Sequence, residues 1–517
     1  MSSDPSAAPF SPAPRTGWAS LKDMSGYQWF VFIVCCLAWD MDCMDQQLFV
    51  LARRPAMESL VPKVGKDDPR FAGQQKSMSE KAAGKTVTDE QVLASLWNAD
   101  VGAAAGWATS MFLIGWSVGG IGFGVLGDRW GRVKTLMLTI GLYAAFTGLS
   151  AFSTGVWDFN AYRLLTGLGV GGVFAASVTL LAETVPANAR PFALGLFQAS
   201  SVAGNCTAAL LSMYFGSLRE SGAFEGQMLL GFPLEPWRLM FVVGIIPGLL
   251  IVVIQLRLRE PEKWLQAVAA RGDKRAGSYG ELLGTEWRSR ALFGLMLALA
   301  GVIGLWGIGF FSPDLQRYVS DPQYRAEAVE KGYMTQEQLE KNQIPPEASK
   351  YINGQKAYWA GITSLVQNLA AFFGIFAFSW MTSSFGRRPA FAFFFVTAGL
   401  STALVFLYLN SRADIFWMIP LMGFFQLALF GGYAIYFPEL FPTRLRSTGT
   451  SLCYNVGRFI AASGPALLGI LISPAVFGSY PEPLPFRYAG AAMCSVFGLG
   501  LIALIFLPET KDQPLPE

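Results

Sequence analysis

The sequence contains no histidine and few charges for its length. Asp, Glu, Lys and Arg make up 15% of its 517 residues, against about 25% in an average soluble domain. Without imidazole, any proton-handling chemistry falls to carboxylates. The net charge of +3 is too small to mark a nucleic-acid binder. All six cysteines, Cys35, Cys36, Cys43, Cys206, Cys453 and Cys494, lie in apolar stretches, so no disulfide framework is predicted. No metal-ligand cluster and no nucleophile–base arrangement is present, and neither an enzyme nor a bound cofactor or metal is expected. Gly167-x-Gly169-x-x-Gly172 mimics a dinucleotide fingerprint but follows no strand. The first residues also lack a basic region followed at once by an apolar one. Residues 1–26 read as a disordered cytoplasmic tail, with the first apolar run as an uncleaved targeting signal.

What the chain has in abundance is apolar surface: 52% of residues are hydrophobic, with 41 Phe and 55 Gly. About twelve runs are long enough to cross a bilayer as helices. They lie near 27–52, 101–127, 135–155, 159–182, 192–216, 238–256, 291–313, 356–381, 389–410, 414–437, 449–473 and 487–507. Long continuous runs exclude a closed barrel. The predicted fold is all-α: twelve transmembrane helices in two six-helix bundles, residues 27–256 and 291–507. The polar linker 257–290 carries Lys263, Arg271, Lys274, Arg275 and Arg288. This basic excess places it, both termini and the tail 508–517 in the cytoplasm. Two long loops, 53–100 and 314–356, then fall outside. Each contains a capping-box pattern, Thr88-x-x-Gln91 and Thr335-x-x-Gln338, so short amphipathic helices are expected there.

The first run ends in Trp39-Asp40-Met41-Asp42-Cys43-Met44-Asp45. Acids at membrane depth cost about 2.5–3.5 kcal/mol each on insertion scales, so they are functional candidates by default. Asp42 and Asp45 share a helix face. Arg163 begins the fourth run and Arg458 lies well inside the eleventh. Neither guanidinium can shed its proton, so each needs an anion or water nearby. Arg458 could pair with Asp42, snorkel, or hold a substrate carboxylate through a two-pronged hydrogen bond. Gln198, Asn205, Gln367, Asn368, Gln426, Asn455 and Tyr433 are candidate cavity liners, and Trp107, Trp116, Trp306 and Tyr436 candidate stacking surfaces. Each could equally serve as an interhelical hydrogen bond or as packing.

The sequence also repeats. Glu183-x-x-Pro186-x-x-x-Arg190 returns as Glu439-x-x-Pro442-x-x-x-Arg446. Trp237-Arg238 and Phe486-Arg487 open the sixth and twelfth runs, which end in Glu260-Pro261-Glu262-Lys263 and Pro508-Glu509-Thr510-Lys511. Gly124-x-x-x-Asp128-Arg129-x-Gly131-Arg132-x-Lys134 has a weaker partner in Gly386-Arg387-Arg388. Internal repeats of this kind place a site near the midplane, between the halves.

On these motifs the chain resembles the major facilitator superfamily over nearly its whole length. The Glu-Pro-Arg connections, Arg163-x-x-x-Gly167-x-Gly169 and the Pro-Glu-Thr-Lys ending resemble the branch of sugar porters and organic-acid:proton symporters. Asp42-x-x-Asp45 resembles the Asp-Gly-aromatic-Asp motif of aromatic-acid and other carboxylate symporters, with Cys43 for the glycine and Met44 for the aromatic. The resemblance implies that Asp128 latches the halves at a helix N-terminus, with Ser383 at the matching place in the second half, so that the latch is one-sided. Spacing that repeats in both halves points to Arg129, Arg132, Glu183, Arg190, Arg387, Arg388, Glu439 and Arg446 as a cytoplasmic gate that breaks on opening, with topogenic charge and loop solvation as the alternative. The resemblance further implies that Asp45, with Asp42 beside it, exchanges a proton against Arg163, paired in one state and separated in another. The expected function is proton-coupled import of a small organic anion (a carboxylic, aromatic or sugar acid) by a monomer in the plasma or inner membrane. A proton-coupled sugar symporter is the alternative, since it needs the Asp45–Arg163 pair but not Arg458. Multidrug efflux and a receptor with vestigial transport fit the motifs less well.

Overall fold

The computed structural model describes residues 15, 17–81, 88–220, 226–269, 276–340, 344–461, 467, 471, 476–477 and 484–516. Among them, ten helices are long and apolar enough to cross a membrane. They are Gly26–Leu60, Ala103–Trp130, Arg132–Ser150, Val156–Thr184, Pro236–Arg257, Arg288–Leu305, Gly361–Phe385, Arg387–Tyr408, Arg412–Leu440 and Leu484–Phe506. Helix Arg190–Glu220 occupies the expected fifth span. The expected eleventh opens as Arg446–Ser451 and passes through a π-helical segment Leu452–Val456 to Gly457–Ala461; most of its expected remainder lies outside the described residues. The spans are numbered below by these twelve positions.

Local chemistry sets the helix starts. Ser25 and Gln28 form a reciprocal capping box at the first span, and Ser411 with Asp414 does the same at the tenth, each satisfying N–H groups that a helix start leaves unpaired. The third and ninth spans use another device. Their N-caps are Gly131 at φ 116° and Gly386 at φ 103°, a region open to glycine. A carboxylate then covers each end: Glu260 accepts from the amides of Arg132 (2.7 Å) and Val133 (3.0 Å), and Glu509 from those of Arg387 (2.9 Å) and Arg388 (3.0 Å). A Cβ at Gly131 would lie 2.2 Å from Glu260 Oε1. Reading the two Pro-Glu pairs in register would match Glu262 with Glu509; it is Glu260 that takes the equivalent place.

The halves meet along the second and eleventh spans. The small-residue face Gly120–Gly124 is the seam itself: a Cβ would lie 2.3 Å from the Asn455 amide at Gly120 and 2.6 Å from Ser451 Cβ at Gly124. Backbones this close need small residues, as between membrane helices generally.

Both long loops carry helices: Phe71–Lys81 in the first, and Ser312–Glu330 and Gln336–Glu340 in the second. The Thr335–Gln338 capping box forms, with bonds of 2.8 and 3.2 Å. Thr88 precedes the helix Asp89–Trp130, while the Gln91 side chain lies outside the described residues. Arg70 forks onto Asp100 at 2.6 and 2.8 Å, and the same guanidinium holds the Asp68 carboxyl down to about 2. In the second loop Tyr324, Ala328, Met334, Ala348 and Ile352 form a small separate core. Arg412 ties it to the tenth span through Glu327 at 2.6 and 2.9 Å, keeping that carboxyl below the usual carboxylate range.

Candidate functional site

The central cavity is built from helix faces with a common logic. The first span contributes Trp39, Cys43, Gln46, Gln47 and Val50; the fifth Gln198, Ser201, Val202 and Asn205; the eighth Ser364, Gln367 and Asn368. Steps of three and four residues put each set on one side of its helix. Phe430, Tyr454 and Arg458 close the cavity from the tenth and eleventh spans. Of the residues expected from the sequence, the wall therefore includes Gln198, Asn205, Gln367, Asn368 and Arg458. Gln46, Gln47, Ser201, Ser364, Trp39 and Tyr454 were missed, although their spacing alongside the expected residues is visible in the sequence.

Three expected liners lie elsewhere. Asn455 donates to Gly171 O (3.2 Å) and Ser451 Oγ (2.9 Å), crossing the seam. Gln426 donates to Thr402 Oγ1 at 2.6 Å, and Tyr433 to Leu297 O at 2.9 Å. All three side chains are buried, and their bonds tie helices together. Of the stacking candidates, Tyr436 donates to Pro508 O, Trp107 is 60% exposed, and the Trp306 side chain is not described. Among the described ones, only Trp116 reaches the site.

Trp116 does so beneath Arg458. The guanidinium lies 3.8 Å from the Trp116 ring and 4.3 Å from the Tyr454 ring, a favourable cation–π setting. Arg458 is buried, yet its Nε and Nη1 have no hydrogen-bond partner among the described residues. Tyr454 stacks on Phe174 at 3.7 Å, linking the eleventh span to the fourth. The cation is therefore fixed by aromatic faces while part of its hydrogen-bonding edge remains unused. An incoming carboxylate suits that edge, because an unsatisfied buried donor is costly and a charge-assisted pair relieves it.

The acids lie behind this wall. Asp42 Oδ2 accepts from Gln46 Nε2 at 3.0 Å, and Gln46 faces the cavity. Asp40 is half-buried, its Oδ1 unpartnered among the described residues. Asp45 is fully buried beside Thr147 and Arg163, and neither of its oxygens makes a well-formed hydrogen bond to a described residue. Arg163, also fully buried, donates to Ser150 Oγ (2.6 Å from Nη2) and sits over Phe241 (4.6 Å), with Phe49 and Phe159 nearby. Its Nη1 has no partner among the described residues. Asp45 and Arg163 thus share a buried neighbourhood without the direct ion pair expected for one state.

At the end bearing the Asp128 turn, the expected charged residues do converge. Asp128 accepts from the amides of Ser447 (3.1 Å) and Thr448 (2.8 Å) and from Thr448 Oγ1 (2.6 Å), all on the opposite half. Arg132 reaches Asp128 at 3.0 Å, holds Glu183 with two nitrogens (3.1 and 3.0 Å), and donates to Thr443 O at 2.7 Å. Arg446 reaches back to Glu183 at 2.6 Å. In the second half Arg387 holds Glu439 at 3.0 and 2.9 Å. Arg129 braces the linker through Ala276 O, Arg388 offers its amide to Glu509, and Arg190 donates to Ala182 O.

Comparison with known proteins places these features. The "Major Facilitator Superfamily" model matches residues 91–326 and the "Sugar (and other) transporter" model residues 350–517. The cis,cis-muconate transport protein of Acinetobacter baylyi is 28% identical, over 79% of this chain and 86% of that one. The gentisate transporter of Corynebacterium glutamicum is 23% identical, over 75% and 76%. Among solved structures, the proton:xylose symporter XylE superposes with a TM-score of 0.60 at 16% identity, covering 95% of this chain and 98% of that one.

Proposed function

Because this chain belongs to the major facilitator superfamily and is a multi-pass membrane transporter of small molecules, we propose that it imports a small organic anion together with protons, by alternating access. The observation that carries the reading is Arg458: a guanidinium on the cavity wall, packed on two rings, with Nε and Nη1 bonded to none of the described residues. The amides of Gln46, Gln47, Gln198, Asn205, Gln367 and Asn368 around it suit a carboxylic, aromatic or sugar acid. The muconate and gentisate transporters carry acids by their names, which supports the same class.

The Asp128 end is taken as cytoplasmic, on the basic linker and turn. It is closed here by bonds between the halves, so substrate enters from the other side. Asp45 is the proton site. With Arg163 near but not bonded and no well-formed hydrogen bond from Thr147, a carboxylate in so buried a place is disfavoured relative to the neutral acid. Asp45 therefore carries its proton in this state and yields it when rearrangement brings Arg163 against it. Asp42 connects this region to the cavity through Gln46.

The test is uptake into proteoliposomes under an imposed proton gradient, screening aromatic, aliphatic and sugar acids against neutral sugars. Gradient-driven accumulation of an acid is expected, lost in Asp45→Asn while counterflow exchange persists. Arg458→Lys keeps the charge but not the fork, and should raise the apparent Kd about tenfold, the equivalent of about 1.4 kcal/mol. Accumulation of neutral sugars alone, unaffected at Arg458, would establish the sugar-symporter reading, which the sugar-transporter match over 350–517 favours.

A further inference from the structure

A second cavity, of about 800 Å³, opens at the Asp128 end but on the other side of the seam. Arg190 reaches it from the first half and Arg387 and Lys511 from the second, with Arg15 at the mouth. The acids on its wall are Glu439 and Asp512. Arg387 and Thr510 already occupy Glu439; Asp512 lies 3.9 Å from Lys511, a loose pair whose acid is 85% exposed. Asp23 stands behind Arg15 at 3.4 Å. Four cations against these three acids leave positive charge in excess.

Arg190 is the telling residue. Its partner by the internal repeat, Arg446, donates Nε to the carbonyl eight residues earlier (Pro438, 3.0 Å) and then bonds across the seam to Glu183. Arg190 makes the same first bond, to Ala182 at 3.1 Å. No second bond is seen among the described residues: Glu439 is the acid that acts most on Arg190, but Arg387 and Thr510 already hold it. A buried guanidinium normally finds an anion, and here the space beside it is a cavity.

We propose that this cavity binds a phosphate-bearing anion from the cytoplasm. Cations converging from separate elements suit an anion with several oxygens, and arginine is the residue whose planar fork matches phosphate. An anion held by Arg190 on one half and Lys511 on the other supplies the missing bridge. It binds the closed cytoplasmic end and slows its opening, as any ligand with affinity for one state only must. The site is separate from the substrate cavity, and the proposal stands whichever solute is carried.

The test uses the full chain in phosphatidylcholine nanodiscs, titrated with inorganic phosphate at ionic strength held constant with chloride. A saturable rise in the unfolding midpoint is expected, and Arg190→Gln should weaken the apparent affinity about tenfold. Lys511→Gln, a substitution in the tail, should weaken it about threefold and serves if the Arg190 variant does not fold. A second set of nanodiscs contains phosphatidylglycerol. If that lipid raises the midpoint without added phosphate, and either variant loses the rise, the phosphate belongs to a lipid headgroup. A shift that chloride reproduces, that never saturates, or that both variants retain would overturn the proposal.

Discussion

The second and eighth spans end in turns that begin alike and finish differently. Both turns cap the next helix with a left-handed glycine and a distant glutamate. Both place an arginine, Arg132 or Arg387, on a buried glutamate, Glu183 or Glu439. Beyond that they diverge. The first half adds Asp128, which bonds to the other half; the second has Ser383, which bonds to Trp380 O within its own helix. Glu183 is shared by arginines from both halves, whereas Glu439 is held within its own. Repetition thus supplies the fold of the turn twice, and in the first copy two acids, Asp128 and Glu183, bond across to the other half.

Asp128→Ala tests this most severely. It strips the acceptor from two amides, a hydroxyl and Arg132, and loss of a buried charged partner costs about 3–5 kcal/mol. Labelling of Cys43 in the central cavity by an impermeant thiol reagent, applied from the side of the Asp128 turn to a chain whose other cysteines are replaced, should rise at least about tenfold. Unchanged labelling would mean that the latch does not control opening. Glu183→Gln comes next, with a smaller rise in labelling, because the amide keeps one acceptor. Glu439→Gln should lower the unfolding midpoint comparably but leave labelling nearly unchanged, since its partners sit on one half. Equal labelling in the two variants would erase the distinction between the turns.

The smallest effect concerns the two caps. Burial raises the Glu260 carboxyl above its usual range despite amide donors. Burial also acts on Glu509, but the amides of Arg387, Arg388 and Lys511 outweigh it and the net shift is downward. Glu509 therefore adds stability above its unfolded pKa and loses it as pH falls through the lowered value. Glu260 does the reverse: its charged form is a net cost once pH exceeds the raised value. At pH 7, Glu509→Gln should lower the unfolding midpoint more than Glu260→Gln, by the equivalent of about 1 kcal/mol. The gap should close as pH falls through the carboxylate range.

Much of this was legible in the sequence, for identifiable reasons. The spans follow from long apolar runs, whereas the contact of Asp128 with the other half is expected only through the family resemblance of its motif. The cavity faces of the fifth and eighth spans follow from their polar residues, whereas that of the first span, with Gln46 and Gln47, was missed. The misses also have causes. The tenth span is apolar nearly all round, so Gln426 and Tyr433, seven apart, define a face without saying what it meets; it packs on the seventh and ninth spans. Asn455 and Arg458 are three apart and read as one face, but Asn455 lies in the π-helical turn Leu452–Val456. A wider turn rotates the helix beyond it, so Arg458 reaches the cavity while Asn455 turns to the seam. Asp45 and Arg163 come near each other without an ion pair, because Arg163 is held by Ser150 and the surrounding rings, a contact that the motif spacing does not encode.

The last stretch of chain has a practical bearing. Thr510 bonds to Glu439 at 2.6 Å, and the carbonyl of Pro516 accepts from Arg446 at 2.8 Å. A purification handle or fluorescent fusion attached just beyond would pull on the arginine that ties one bundle to the other. Transport rates compared between differently tagged versions would then reflect the tag as much as the solute.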